Sequence, residues 1–514
     1  MPAIRHALAT SRESDFAAWY QEVIHAADMA EESGVRGCMV IKPWGYGIWE
    51  RMQRLLDARI KVTGHDNCYF PLFIPLANFE REAAHVEGFA KEMAVVTHHR
   101  LITDGEGKLI PDPAAKLEEP LVVRPTSETI IGDAMSRWIQ SWRDLPLKLN
   151  QWCNVVRWEM RTRMFLRTSE FLWQEGHTAH ETQGEAQEHT LRMLEVYRTF
   201  AEADLSLPVI AGEKPENERF PGAVETWSIE AMMQDGKALQ AGTSHYLGTS
   251  FAEAANIRFQ DREGQQRLCH TTSWGVSTRM IGGIIMTHGD DDGLRVPPAI
   301  APWQVVILPM LRDNEQDASI LKYCEELQSL IAGQSALHEP VRVLLDTKAG
   351  KAAAKRWDWV RKGAPVIIEV GARDMEARTV SRLRRDRLWN SETGKPAFET
   401  PNRQECAKEI GVLLEEIQAA LFLQARERRD AAIRRDIDDL DALAEFFSDD
   451  AKYPGWVEVQ WSRPTGAALD AVIEQLKALK ITFRNVPRDA GTSEGACIFT
   501  GEPAVERILV ARTY

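Results

Sequence analysis

Between Arg167 and His180 the chain reads RTSEFLWQEGHTAH, which sets two histidines three residues apart beside Glu170, Trp173 and Glu175. The first chemistry such a stretch suggests is a metal box, because on a helix His177 and His180 would share one face. The spacing argues against it. Helical metal histidines usually stand four apart around a catalytic glutamate, as in H-E-x-x-H, or pair with distant cysteines. A serine hydrolase is no better supported, since no G-x-S-x-G elbow occurs. There is no Walker loop and no G-x-G-x-x-G after a strand, so a phosphate ligand has to be held by side chains. What remains is a pocket for a small molecule.

Three other clusters could supply groups to such a pocket. VVRWEMRTRMFLRT carries Arg157, Glu159, Arg161, Arg163 and Arg167 at alternating or near-alternating positions. In a strand the first four would point to one face, and arginine suits phosphate because its planar fork donates two parallel hydrogen bonds. A solvated hairpin with internal ion pairs explains the charges too, although the apolar alternation on either side suggests a cleft on a sheet. ALQAGTSHYLGTSF gathers Gln240, Thr243, Ser244 and His245 beside small residues that allow a ligand to approach. A turn followed by a capped helix accounts for it about as well. In HTTSWGVSTRMIGGIIMTHGDDDGL, Arg279 opens an apolar, glycine-rich helix, where the helix dipole disfavours a cation. A triphosphate or an acidic partner would give that arginine its reason.

These groups need a scaffold. Apolar residues recur at helical spacing from Asp15 to Glu32, after a cap signal at Ser14 and Asp15. VRGCMVIKPWGYGIWERMQRLLDARI reads as a strand and loop leading into a long amphipathic helix, and NCYFPLFIP as a strand stopped by Pro75. LITDGEGKLIPD has the pattern of a hairpin. PLVVRPTSETIIGDAMSRWIQSW gives a strand, a capping box at Thr126 or Ser127, and a helix. LKLNQWCNVVRWEMRTRMFLRTSEFLWQEGH is two extended runs around a charged turn, and further strands are expected near Thr226–Ile229, Ala238–Gln240 and Leu268–Thr272. After the prolines of GLRVPPAIAPWQ, short strands alternate with helical stretches, the pattern of a small α/β module. Beyond SETGKPAFETPN a single charged helix is expected to run from CAKEIG to LAEFF. From Tyr453 onward the chain adds the strand WVEVQW and a helix at Ala467–Lys480. The expected class is α+β: an antiparallel-sheet catalytic domain (1–298), an α/β domain (299–402) and a small C-terminal α/β domain (403–514).

Composition fits that picture. A chain of 514 residues is too long for one ordinary core. The net charge of −14 recruits neither membrane nor nucleic acid globally, so any polyanion site must be a local basic patch. Seven scattered cysteines form no C-x-x-C pair and suggest a reduced compartment. With no apolar signal core and no span-length apolar stretch, the chain is expected to be cytoplasmic and not bound to membrane.

Taken together, the segments resemble class II aminoacyl-tRNA synthetases, and among them the prolyl-tRNA synthetases of archaeal/eukaryotic-like type. GYGIWERMQRLLDARIKVTGHDNCYFPLFIP is similar to class II motif 1, NVVRWEMRTRMFLRTSEFLWQEGHTAH to motif 2 with its continuation, and TTSWGVSTRMIGGIIMTHGDDDGLRVPP to motif 3. LVVRPTSET matches the proline-specific loop, and VIIEVGARDMEARTVSRLRRD resembles the anticodon-binding module. The likeness runs over nearly the whole chain. It implies ATP-dependent ligation of L-proline to tRNA(Pro) through prolyl-adenylate, with Mg²⁺, in a homodimer joined by motif 1. A synthetase paralogue that is inhibitor-tolerant, or has a non-charging role, is the alternative, although Arg157 and Arg279 are both kept.

The resemblance also implies roles. Arg157 and Arg279 are the catalytic pair, Arg157 at the α-phosphate and the proline carboxylate, Arg279 at the γ-phosphate. Thr126, Glu128, Trp173, Glu175, His177, Ser273 and Gly275 complete the proline pocket with Arg157. Glu159, Arg167, Thr168, Gln240, Thr243 and His245 join the two arginines around ATP, with Thr168 at the edge that meets the terminal adenosine of tRNA. Glu369, Arg373, Arg384 and Arg385 are candidates for tRNA, since arginine pairs bidentately with a guanine edge, and the run from Lys348 to Lys362 for its phosphates. Solvated surface charges are the plain alternative for both. The interval between His180 and His270 is too short for the editing domain that many bacterial relatives insert. Relatives of this type usually carry four zinc-binding cysteines near the C-terminus; only Cys497 stands here, so no structural zinc is expected. Met164 replaces the usual proline before FLR, and the resemblance implies that the carboxylate of Tyr514 reaches toward the active site, a disordered tail being the plain alternative.

Overall fold

The structure, a computed structural model, describes residues 4–83, 93–449, 454–491 and 493–514; Tyr453, where the last segment was expected to begin, lies outside them. Helix α1 (Phe16–Ala26) begins where the cap signal put it, with the Asp15 side chain accepting from the Ala18 amide, but ends well before Glu32. Helix α2 (Pro43–Val62) starts on a proline, whose missing N–H costs nothing in a first turn, and buries Ile48, Trp49, Met52, Leu56 and Ile60 along one stripe.

The first unit is built on a largely antiparallel sheet. Its strands are β1 (Asp66–Asn67), β2 (Leu147–Val156), β3 (Glu170–His180), β4 (Val209–Glu213), β5 (Glu225–Met232), β6 (Ala238–Gly248) and β7 (His270–Ser277). An eighth strand arrives from the far end of the chain. Only β1 pairs in parallel. Strand β3 lies between β2 and β7, and helices α3 (Glu128–Trp138), α4 (Gln183–Thr199) and α5 (Arg279–His288) belong to the same unit. Met193, Leu194 and Tyr197 of α4 and Ile281, Ile284 and Ile285 of α5 share the main core with Trp274. The hairpin was expected to be strand up to its turn, but Arg157–Ser169 leaves the ladder: Arg163 bonds back to Arg167, and Phe165 takes a left-handed φ of 60°. Arg157, Glu159, Arg161 and Arg163 therefore do not share a strand face.

The period-2 rule separates the two histidines of the opening stretch. Three residues apart on a strand, His177 and His180 face opposite sides of the sheet. His180 lies in the back core beside His189, the ring centroids 5.0 Å apart, and His65 sits 5.0 Å from His189. Burial pushes His65 down to about 4, His180 to about 3 and His189 to about 2. The unfolded chain takes protons below the ordinary histidine value of 6.5, whereas the folded trio refuses them. Stability present above pH 6.5 is thus lost on acidification, by up to about 1.4 kcal/mol per imidazole per pH unit. The melting temperature is expected to fall from pH 7 to pH 5, and His189→Phe to shrink that fall; equal melting temperatures in wild-type protein would refute the account.

The second unit is a sheet of β8 (Val305–Pro309), β9 (Val343–Leu345), β10 (Val366–Val370) and β11 (Ser381–Arg384) in the order β9-β8-β10-β11, with β11 antiparallel, covered by α6 (Asp317–Ala332) and α7 (Ala352–Lys362). The long charged helix is shorter than its composition suggested: α8 spans Arg403–Ala431. Its buried residues Cys406, Ile410, Leu414, Ile417 and Leu421 share a core with Val305, Ile307 and Ile368, so by packing it belongs with the α/β unit before it. The C-terminal unit folds around β12 (Ile433–Arg434), β13 (Trp456–Trp461), β14 (Thr482–Phe483) and a later long strand, Glu506–Ala511, with helix α9 (Gly466–Ala478). Between β14 and that last strand, β15 (Val486–Pro487) pairs with β4 and forms the eighth, edge strand of the first unit's sheet.

Arg385 joins the first two units. Only about 1% of its side chain is exposed; Nη1 and Nη2 donate to the two Asp290 oxygens at 2.7 and 2.5 Å, and Nε donates to the Val360 carbonyl. Arg384 is bound to Asp386 and Glu416, and Glu369 is buried against Arg356 at 2.9 Å. These three were expected to meet tRNA. Arg384 and Arg385 are instead structural ion-pair residues with their forks already filled, and only Arg373 of that set is exposed.

Candidate active site

Strand register builds a cleft of about 240 Å³ on one face of the sheet. Directly opposed residues share a face, so the pairings set out rows. His177 pairs with Ser273, Ser273 with His245, and His245 with Thr226. One step along, Glu175 pairs with Gly275, Gly275 with Thr243, and Thr243 with Ser228. Trp173 pairs with Ser277, two residues before Arg279 at the start of α5. Alternation thus delivers residues far apart in sequence to one wall. Gly176, between the two rows, is obligatory: a Cβ there would lie 1.9 Å from the Trp274 ring.

One end of the cleft is a hydrogen-bonded acid cluster. Glu175 is buried, and burial opposes its ionisation; the His177 bond at 2.9 Å, with bonds from Ser127 at 2.5 Å and Gln151 at 2.9 Å, nevertheless holds it below the usual carboxylate range. Burial likewise opposes charge on His177, but Glu175 wins and raises it. Thr126 hydrogen-bonds Glu128. The expected capping box is therefore spent on the cleft: Ser127 is the N-cap of α3, yet its hydroxyl goes to Glu175 and caps nothing. Ser273 is 3% exposed and lines the cleft, and its buried hydroxyl has no partner among the described residues.

Arg157 is fixed on three sides. Its Nε donates to the Pro125 carbonyl at 2.8 Å, and its guanidinium lies 5.1 Å from the Trp173 ring and 5.6 Å from Phe171. Arg279 donates through Nε to the Leu166 carbonyl at 3.2 Å. Burial, with repulsion from Arg157 and Arg167, brings it down to about 10, so it stays charged at neutral pH. His245 shares a hydrogen bond with Thr226 at 3.0 Å, lies tilted against Phe220 with ring centroids 4.8 Å apart, and is neutral because burial takes it to about 3.

Of the expected residues, Thr126, Glu128, Arg157, Trp173, Glu175, His177, Gln240, Thr243, His245, Ser273, Gly275 and Arg279 all line this cleft. Glu159, Arg167 and Thr168 do not. The Glu159 carboxylate turns back to the Arg161 amide at 2.7 Å, and Thr168 borders a neighbouring hollow with Arg36 and Arg163. Arg167 donates to the Tyr514 carbonyl oxygen at 3.3 Å, while the Tyr514 ring lies 5.8 Å from Arg163 and 4.9 Å from Lys237. The last residue thus packs on the charged loop outside the cleft. Sequence reasoning missed Phe171, Glu218, Arg219, Phe220, Thr226 and Ser277. Phe171 and Ser277 were findable as strand neighbours, whereas nothing marked Glu218–Phe220 before the loop was seen folding over His245.

Residues 113–288 match the tRNA synthetase class II core domain (G, H, P, S and T), and residues 304–395 the anticodon binding domain. The chain is 73% identical to the proline--tRNA ligase of Erythrobacter litoralis, over the whole of both chains. It is 69% identical to that of Sphingomonas elodea, over 99% of this chain and all of the relative. Among solved structures, prolyl-tRNA synthetase from Cryptosporidium parvum complexed with L-proline and AMP superposes with a TM-score of 0.86 at 35% identity, covering 99% of this chain and 97% of that one.

Proposed function

The chain belongs to the prolyl-tRNA synthetase family of class II aminoacyl-tRNA synthetases, and from that footing we infer how its cleft joins proline to tRNA at the expense of ATP. The proline carboxylate attacks the α-phosphorus and pyrophosphate leaves; the terminal ribose hydroxyl of tRNA then attacks the prolyl carbonyl and AMP leaves. No covalent nucleophile is required, so the protein's task is positioning and charge stabilisation. The observation that carries the assignment is the row arrangement itself, with carboxylates and an aromatic wall at one end and two arginines beside them.

In this reading Trp173 walls the pyrrolidine ring, and Glu128 and Glu175, with His177, receive the secondary ammonium. Arg157 stands where carboxylate and α-phosphate meet, and Arg279 takes the far phosphates. Gln240, Thr243 and His245 face the nucleotide, and the Ser273 hydroxyl gains a partner when substrate binds. Mg²⁺ would neutralise phosphate charge. Gln240, Thr243 and Ser277 offer it neutral oxygens, while the nearby Glu230 carboxylate is taken by Lys214 and Arg484, so phosphate oxygens and water would hold most of its shell. For tRNA we retain Arg373 and the exposed Lys348 and Lys351. The C-terminal unit needs no structural zinc in this reading, because Cys497 is buried in an apolar core with Trp461, Phe483 and Phe499. A dimer through α2 and the strand after it is proposed, supported by exposed Val62, Tyr69 and Phe73. No described helix is long and apolar enough to cross a membrane; the proposed location is the cytoplasm.

The test is ATP–pyrophosphate exchange with proline, alanine and cysteine, followed by tRNA charging. Proline-dependent exchange is expected, and its absence would overturn the reading. Trp173→Ala is expected to raise the KM for proline about thirtyfold or more, as loss of a buried aromatic anchor does, with the KM for ATP changed less than threefold.

A further inference from the structure

The outer edge of the catalytic sheet is made by the C-terminal unit, and that junction carries a buried charge cluster. Glu230 on β5 is completely buried; Lys214 lies 2.9 Å from it, and Arg484, two residues before β15, donates to it through Nη2 at 2.5 Å and Nε at 3.1 Å. Asn485 Nδ2 fixes the same corner by donating to the Ile210 carbonyl at 3.0 Å. Glu230 pairs in register with Gln240, which lines the cleft, and lies two residues from Ser228, so its side chain is on the cleft face just past a bulge at Ala241 of β6. A carboxylate on the phosphate side of an ATP site would repel the ligand unless it were held.

We propose that Arg484, carried in by the C-terminal unit, is a positioning residue for ATP: it holds and neutralises Glu230, keeping the ground beside Arg279 positive. The proposal rests on placing the ATP phosphates at Arg279. With Glu230, Lys214 and Arg484 all charged, the cluster is net positive by one; without Arg484 it is neutral, in a buried setting where water screens little. Arg279 senses the cluster directly, since Glu230 strengthens its hold on a proton and Arg484 weakens it. A triphosphate would feel the opposite signs.

The test measures KM for ATP and for proline separately in pyrophosphate exchange, normalised by active-site titration so that unfolded enzyme does not count. Arg484→Met is expected to raise the KM for ATP about tenfold and leave that for proline within twofold, and adding Glu230→Gln to that variant is expected to return the KM for ATP toward wild type. Glu230→Gln alone, which leaves both cations, is expected to lower the KM for ATP. A merely structural role predicts none of these and would instead lower active-site content; equal shifts in both KM values, or no rescue, would overturn the proposal. Arg279→Ala in the same assay tests the phosphate placement by itself. An unchanged KM for ATP there overturns that placement and this inference with it, whereas a raised value beside an unaffected Arg484→Met overturns the inference alone.

Discussion

Arg157→Ala is expected to reduce proline-dependent pyrophosphate exchange by about a thousandfold, the scale set by removing a donor that acts on charge developing in a transition state. The geometry supports a loss of this size. The guanidinium is pinned by the Pro125 carbonyl and flanked by Trp173 and Phe171, so it is aimed before substrate arrives. The remaining arginine of the cleft that was expected to grip phosphate, Arg279, is tied to Leu166 and cannot take over its place. Arg157→Lys keeps the charge but not the planar fork or the bond to Pro125, and is expected to restore only a small part of the rate. Single-turnover adenylate formation separates this from a binding defect. A rate within tenfold of wild type for Arg157→Ala would remove the residue from the chemistry.

The second large effect is on folding. Gly176→Ala puts a Cβ at 1.9, 2.1 and 2.2 Å from three atoms of the Trp274 ring. That ring is 2% exposed and sits edge-on to His65 at 4.9 Å and to Tyr197 at 6.1 Å, so it has nowhere to retreat. Overpacking usually costs about 1–3 kcal/mol, and here the cost is expected at the top of that range or above it. The variant is expected to melt several degrees lower and to lose proline activation, because Gly176 separates the Glu175 and His177 rows. Trp274→Phe in the same background should recover part of the loss. A melting temperature equal to wild type would show that β3 and β7 can part here without penalty.

The candidate site residues come from the resemblance to class II synthetases, and strand alternation, which is local, accounts for why they share a wall. From WQEGH one can read that Trp173, Glu175 and His177 share a face, and the register with β7 merely supplies Ser273 and Gly275 opposite them. The fold class was legible for the same reason. The charged turn was not: alternation of Arg157, Glu159, Arg161 and Arg163 looks like a strand, but the left-handed Phe165 and the return bond to Arg167 break the ladder. Residue type likewise says nothing of whether an arginine is free. Arg384 and Arg385 resemble a nucleic-acid patch in one dimension and are filled forks in three. Phe220 reaches His245 only through tertiary folding, which no local pattern announces.

The edge strand β15 has a consequence for how this molecule comes into being. Strands β1 to β7 are all made before residue 278, but the outer partner of β4 is not synthesised until Val486. During translation the catalytic sheet therefore waits, with β4 presenting unpaired amides and carbonyls and Glu230 without Arg484. A nascent chain in that state is at its most vulnerable to pairing with a neighbour's open edge. The late residues act as a completion signal: a product truncated before β15 carries every cleft residue, yet has an unfinished sheet and an unheld acid near Arg279.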